Sequence, residues 1–372
     1  AASDVYKRQR RMLWAMGGWY CLASHLLSEG IMKGHLVIAD ISGYTRFLTD
    51  SFDDMEAEHG NGIISDLLNS IVEAIDAPLS VSSIEGDAVF LYGELDAMMA
   101  GQTVLESVER LYCAFKSSLD TMVVNTTCTC NACVNIKGLG LKIVMHCGEF
   151  AIASVGGQDT LSGADVVMAH RLLKNNIPES TGIEDYMIVT EQSVEDLGVQ
   201  GIVAGWTEHT EEYEHVGEVK GYVSSLPDVW SFVRQQNENK VLQRESWVTI
   251  TAHSKAPPAI VWDQLVNPVT RTQWLGANDN QVIGDGRGRV GPGAEYHCAH
   301  GEDNDVVIFT VLDMKAVDYA TFLIPMGEGK GFRWTDYVIA TETGTQIVTR
   351  CAAMFSTDTG ENLPDEVLES MK

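Results

Sequence analysis

The stretch HLVIADISGYTRFL, residues 35–48, sets the architecture of the first half of the chain. Its unbroken apolar run, Leu36 to Ala39, stops on Asp40 and is followed by Ser42-Gly43 and a helix-like segment. A short apolar run bounded by a turn signal predicts a buried strand. Asp40 is then a carboxylate delivered at the strand's carboxyl end, where strand-to-helix turns collect phosphates and metal ions. Further on, Leu79–Ser83 and Ala88–Tyr92 are two β-rich runs joined across Ile84-Glu85-Gly86-Asp87. This pattern predicts a hairpin whose turn carries Asp87, with Gly86 supplying the backbone freedom. Two carboxylates on neighbouring strand ends can hold a pair of divalent ions, Mg²⁺ or Mn²⁺, the arrangement used for in-line displacement at phosphorus. Glu85 is a further candidate ligand, its alternative being an orientation into solvent.

Helical spacing of Ile63, Ile64, Leu67, Leu68, Ile71, Val72 and Ile75 predicts a helix over 54–75, and a second apolar pattern predicts one over 95–123. Leu139–His146 and Glu149–Val155 are expected to form a hairpin closed by Gly156-Gly157, followed by a helix over 163–175 and a strand over 186–190. The order β-α-α-β-β-α-β-β-α-β predicts an α+β fold, a ferredoxin-like sandwich with extensions. The segment TEHTEEYEH, residues 207–215, is expected to be a solvated acidic loop, the alternative being a metal site through His209 and His215.

With ADISGYT at the first strand and IEGDAVF at the hairpin, the chain resembles the class III adenylate and guanylate cyclase homology domain. More narrowly, it is similar to an uncharacterised bacterial family carrying ADISGYTRF, EGDAVF, a cysteine-rich insert and HRLLKN. The resemblance runs from Gly34 to Leu226. It implies that Asp40 and Asp87 bind two divalent ions that act on a nucleoside triphosphate. It further implies that Arg171, in VVMAHRLLKN, stabilises charge developing at phosphorus, in a head-to-tail homodimer where Arg171 faces the carboxylates of the other subunit. A surface salt bridge is the bland alternative for Arg171. Three positions depart from the family pattern. The purine-reading lysine is replaced by Ser83, its acidic partner by Thr160, and the ribose-orienting asparagine by Val167, which offers no hydrogen bond. Asp165, His170 and Lys174 are the nearby candidates to replace them in part. Metal and phosphate handling is thus expected to survive, while the usual reading of base and sugar is not. Two functions follow: metal-dependent nucleotide binding or cyclisation with a non-standard base pocket, or a catalytically inactive, dimerising regulatory or ligand-sensing module.

Past a polar connection at 227–244, the character changes. A strand at Trp247–Ala252, helices at Pro257–Leu265 and Pro268–Trp274, and glycine-separated strands between Ala294 and Met354 resemble the START-like helix-grip fold of the polyketide cyclase and dehydrase type. That resemblance implies an apolar small molecule as ligand. Trp274, Tyr296, Phe309, Phe322, Trp334 and Met354 are candidates to line its cavity, with ordinary core packing as the alternative. The expected domains are therefore 32–226, cyclase-like, and 245–372, START-like, with Glu361–Lys372 as a closing helix cut short.

Composition narrows the partners. Against 52 acidic residues stand 25 basic ones, a formal charge of -27 that repels nucleic acid and anionic membranes. The 45% hydrophobic content is enough for two buried cores. Eight cysteines in 372 residues are too sparse for a disulfide scaffold and suit a reducing cytoplasm. Three of them crowd into CTCNAC as Cys128, Cys130 and Cys133, soft ligands within reach of one structural zinc, with Cys113, His146 or Cys147 as the fourth. Three reduced surface thiols are the alternative. Residues 1–31 combine Lys7, Arg8, Arg10 and Arg11 with an apolar stretch and are expected to be a non-native or targeting segment.

Overall fold

The computed structural model describes residues 31–49, 54–94, 99–155, 158–213, 217–236, 239–284, 287–327, 329–356, 359 and 362–363. The expectations for residues 1–30, for the Gly156-Gly157 turn, for His215 and, apart from residues 362–363, for the closing helix at Glu361–Lys372 lie outside the described residues. Two compact units emerge. The first comprises Ala1–Ala97, Val108–Gly198 and Trp206–Trp230, and the second Met98–Ser107, Val199–Gly205 and Ser231–Lys372. Among the described residues no helix is long and apolar enough to cross a membrane.

In chain order the first unit holds β1 (Met32–Ser42), α1 (Tyr44–Thr49), α2 (Asp54–Glu73), β2 (Ser80–Glu85) and β3 (Ala88–Gly93). After these come α3 (Gly101–Asn125), whose first turns count with the second unit, then α4 (Asn131–Asn135), β4 (Gly140–Val155), β5 (Gln158–Ser162) and α5 (Ala164–Leu172). The remaining elements are α6 (Ile177–Thr181), β6 (Tyr186–Thr190), α7 (Glu191–Leu197), α8 (Gln200–Val203, of the second unit), β7 (Thr207–Tyr213), β8 (Gly217–Ser225) and α9 (Leu226–Gln235). Its sheet runs β2-β3-β1-β4-β6-β8-β7, with β5 paired to β4. Within β2-β3-β1-β4 every neighbour is antiparallel, so β1-α2-β2 and β3-α3-β4 are two interlocked split β-α-β units. The apolar run of β1 now has its cause: hydrogen-bonded on both edges, Leu36, Val37, Ile38 and Ala39 are at most 1% exposed. Alternation sends Leu36 and Ile38 to the face covered by α5, where they pack with Phe90, Phe150, Val166 and Ala169.

Two local expectations are corrected. Leu139–Val155 is not a hairpin: β4 is one strand of 16 residues, and the hairpin forms between β4 and β5. Gly148, between the two expected runs, is there to admit a helix, because a Cβ at this position would lie 2.3 Å from the Asp165 side chain. Nor is 207–213 a loop, since it pairs along its length with β8 as an edge strand. Its alternation is visible in retrospect: His209 is buried while Glu208 and Thr210 face out. Acidic side chains on an outer strand also discourage edge-to-edge association.

The second unit holds β9 (Ser246–Ser254), α10 (Pro258–Val266), α11 (Pro268–Leu275), β10 (Asp279–Ile283), β11 (Glu295–His300), β12 (Asp305–Lys315), β13 (Tyr319–Gly327), β14 (Lys330–Thr341), β15 (Gly344–Ala352) and β16 (Phe355–Ser356). The sheet is an antiparallel meander from β10 to β15 that β9 joins beyond β15. β10 and the two-residue β16 have no counterpart among the expected strands, the polar sequence DNQVI hiding β10. Trp262 points inward as expected and is fully buried, beside Tyr296, Phe309 and Phe322. Of the six aromatic and methionine candidates for a cavity lining, Trp274 is the exception, 48% exposed. Its indole N–H donates to the Gln264 carbonyl at 2.7 Å, which holds the ring on the surface of its own helix pair.

Candidate functional site

Asp40 lies on β1 opposite Ala88 of β3 and Lys142 of β4. Lys142 Nζ is 3.0 Å from Asp40 Oδ2, with side-chain exposures of 25% and 17%. The hairpin turn is fastened to the same strand end, because the Ile41 N–H donates to the Asp87 carbonyl at 3.1 Å. Gly86 turns this corner with a φ of 66°, a conformation that favours glycine. Burial and the neighbouring Asp40 push the Asp87 carboxyl above the usual carboxylate range, and Lys142 partly offsets them. Two carboxylates and one ammonium thus share a half-buried patch at the end of a strand whose centre is fully buried. Such a patch carries excess negative charge at neutral pH and favours either a proton or a further cation.

Glu85 stands apart from that pair. One carboxylate oxygen accepts from the Ser83 hydroxyl at 2.9 Å, and the other is 3.9 Å from His170 Nδ1 on α5. Among the described residues two groups of three or more ligand atoms come within 4.8 Å of one another, and Glu85 is in neither. His170 also packs its ring edge-on to Phe90, with centroids 4.9 Å apart. Arg171 follows on α5, half-buried, and Val167 one turn earlier is 54% exposed. Thr160 is exposed on β5. Asp165 is engaged locally: its carboxylate accepts from the Glu149 N–H at 2.6 Å and lies 3.4 Å from His146 Nε2.

The three cysteines of CTCNAC converge on a residue that the sequence reading did not consider. Cys128, Cys130 and Cys133 Sγ lie 3.7, 3.5 and 3.7 Å from Nδ1 of His59 on α2. The fourth ligands expected from sequence are not in this group: Cys113 is in neither group, His146 contacts Thr190 and Asp165, and Cys147 belongs to the other group of three, with His35 and Asp196. In that second group Asp196 bridges Lys33 and His35, each at 3.1 Å. No local signal marks His59 in EAEHGNG. Lys142 was equally hidden, since its role depends on the register of β1 against β4.

In the second unit the fully buried Arg271 is also a residue that sequence reading passed over. Its guanidinium lies over Phe322 at 4.5 Å and Tyr296 at 5.1 Å, and donates to the Leu265 carbonyl. Burial lowers its pKa, and its Nε has no hydrogen-bond partner.

Residues 64–181 match the family model described as "Protein of unknown function (DUF2652)". The uncharacterized protein Rv2561/Rv2562 of Mycobacterium tuberculosis is 26% identical over 166 residues, 44% of this chain and 73% of that protein. Among solved structures, the guanylyl cyclase Cya2 is similar with a TM-score of 0.41 and 13% identity, over 53% of this chain and 93% of that one. The adenylyl cyclase CyaB from P. aeruginosa is similar with a TM-score of 0.36 and 12% identity, over 52% of this chain and 96% of that one.

Proposed function

We propose that the first unit is a divergent class III cyclase-like domain, ferredoxin-like in its β4-β1-β3-β2 core, that binds a nucleoside triphosphate through divalent metal held by Asp40 and Asp87. The observation that carries this reading is the half-buried pairing of these two carboxylates at one strand end, with Asp87 pushed toward its protonated form by burial and by Asp40. A donor set of two carboxylates with uncompensated charge suits Mg²⁺ or Mn²⁺. Bound there, such an ion would polarise a phosphoryl oxygen and acidify an attacking hydroxyl. The protein's own part is to hold Asp40 rigid within the sheet, to fix Asp87 through the Ile41 N–H, and to limit the local charge with Lys142. Arg171 from a second copy of the chain would face the phosphates in a homodimer and stabilise the charge that develops. Ser83, Thr160 and Val167 leave the base without its usual contacts, so base selectivity is broad or is set by other residues.

Lys142 supports a second reading. Its ammonium already neutralises Asp40 at 3.0 Å, and a built-in cation of this kind suits a catalytically inactive, dimerising module. In either reading the second unit is a START-like helix-grip domain for an apolar small molecule, a reading supported by the meander that β9 rejoins and by two helices between β9 and β10.

One experiment separates the two readings. The full chain is incubated with each of the four nucleoside triphosphates and Mn²⁺, and the products are separated for pyrophosphate and a cyclic nucleotide. Turnover that Asp40→Ala and Asp87→Ala abolish supports the enzyme. Metal-dependent thermal protection by a triphosphate without turnover supports the binding module. If neither turnover nor protection is seen, the nucleotide site fails and the inactive, dimerising module remains.

A further inference from the structure

We propose that His59, Cys128, Cys130 and Cys133 form a closed structural zinc site that fastens the cysteine-bearing insert to helix α2. The geometry comes first. With zinc bonded to sulfur at about 2.3 Å and to nitrogen at about 2.0 Å in a tetrahedron, each sulfur stands about 3.5 Å from the nitrogen. The three observed separations from His59 Nδ1 are 3.7, 3.5 and 3.7 Å, and all four ligand atoms lie within 4.8 Å of one another.

Hydrogen bonding does not account for this convergence. A neutral imidazole nitrogen offers one lone pair and satisfies one donor. Three sulfurs at nearly equal distance around one nitrogen match the edges of a coordination tetrahedron instead. The thiols are not paired with each other, since all three cysteines are free. Cys130 Sγ also accepts the Cys133 N–H at 3.5 Å, so the Cys-x-x-Cys turn curls back on its own sulfur and orients it. Four protein ligands leave no open coordination position, which assigns the ion a structural role rather than a catalytic one.

The insert has reason to need such a fastening. Helix α4 has five residues, too few to hold itself together in water. Its buried contacts are few, chiefly Ala132 and, just after it, Ile136. The segment that follows runs over the turn behind Asp40, where the Gly138 carbonyl lies 2.8 Å from the position a Cβ would take on Gly43. A zinc clamp would therefore also steady the turn that presents Asp40. The zinc assignment itself stands independently of any nucleotide at that carboxylate.

The test uses the full chain, kept reduced, loaded with zinc and dialysed into zinc-free buffer, with metal measured by mass spectrometry. One zinc per chain is expected, retained in Cys351→Ser and lost in Cys130→Ser and His59→Ala. Because a ligand variant can unfold, the unaltered chain is also reconstituted with Co²⁺. Intense tetrahedral visible bands with thiolate-to-cobalt charge transfer are expected, and His59→Cys should shift them toward an all-thiolate spectrum while still binding one ion. A zinc-loaded chain that retains no metal, a full equivalent retained by both Cys130→Ser and His59→Ala, or a cobalt form without charge-transfer absorption overturns the proposal.

Discussion

Lys142 Nζ sits 3.0 Å from Asp40 Oδ2, cross-strand partners on β4 and β1, so that one fixed cation and one metal-ligand candidate share a single carboxylate. Replacing Lys142 by methionine keeps most of the side-chain volume and removes that cation. Asp40 and Asp87 are then left facing each other, and metal-free stability is expected to fall by about 1–3 kcal/mol. Mn²⁺ should in turn bind roughly tenfold more tightly, since it no longer competes with the ammonium. Urea denaturation and calorimetric Mn²⁺ titration of Lys142→Met measure both effects. An unchanged Mn²⁺ affinity means that Lys142 does not compete for the site.

Asp87 bears on the same patch from the other side. Its folded pKa is raised, by burial first and Asp40 second, so the stabilisation it brings is present below the ordinary carboxylate range and is lost as pH rises through the folded value. In metal-free buffer at pH 8, Asp87→Asn is therefore expected to be more stable than the unaltered chain, with the difference disappearing near pH 4. Mn²⁺ should raise the melting temperature of the unaltered chain and leave that of Asp87→Asn unmoved. Equal responses to Mn²⁺ in the two proteins would remove Asp87 from the ligand set.

Gly148 is the point where β4 admits helix α5. A methyl group there would lie 2.3 to 2.4 Å from Asp165 side-chain atoms, and that carboxylate also holds the Glu149 N–H. Gly148→Ala is expected to destabilise the first unit by about 1–3 kcal/mol through forced repacking. The denaturation midpoint measures it, and Asp165→Ala in the same chain should recover part of the loss by vacating the space.

Two buried histidines predict an acid-sensitive first unit. Burial lowers the pKa of both His35, which faces Asp196, Lys33, Cys147 and His146, and His146, which faces Asp165 and Thr190. Their folded values lie below the ordinary value of about 6.5, so the unfolded chain takes up protons first and stability drops as pH falls through that range. Urea midpoints at pH 7.5 and 5.5 should differ, and His146→Gln should narrow the gap. A pH-independent midpoint across that window contradicts the neutral, buried state of these rings.

The α+β character was legible from residue order because it rests on local periodicity. The apolar run Leu36–Ala39, the Gly86 turn and the helical spacing of Ile63 to Ile75 each encode their element within a few residues. Periodicity failed where a glycine or a run of charge had a tertiary cause. Gly148 parted two expected strands and is a gap for Asp165, while Thr207–Tyr213 looked like a loop and is an edge strand with Glu208 and Glu212 exposed and His209 and Glu211 paired on its inner face.

By itself, the sequence determined which carboxylates and thiols end up at turns: Asp40 at a strand end, Asp87 on a hairpin, and Cys128, Cys130 and Cys133 within one short insert. Turn chemistry is local, so these positions follow from neighbouring residues. Only the tertiary structure decided what those groups face. Lys142 reaches Asp40 through the register of two strands far apart in the chain, and His59 meets the cysteines across 69 to 74 residues. Side-chain pairing at such separations depends on how sheet and helices pack, and a one-residue slip of β4 would have turned Lys142 to the opposite face.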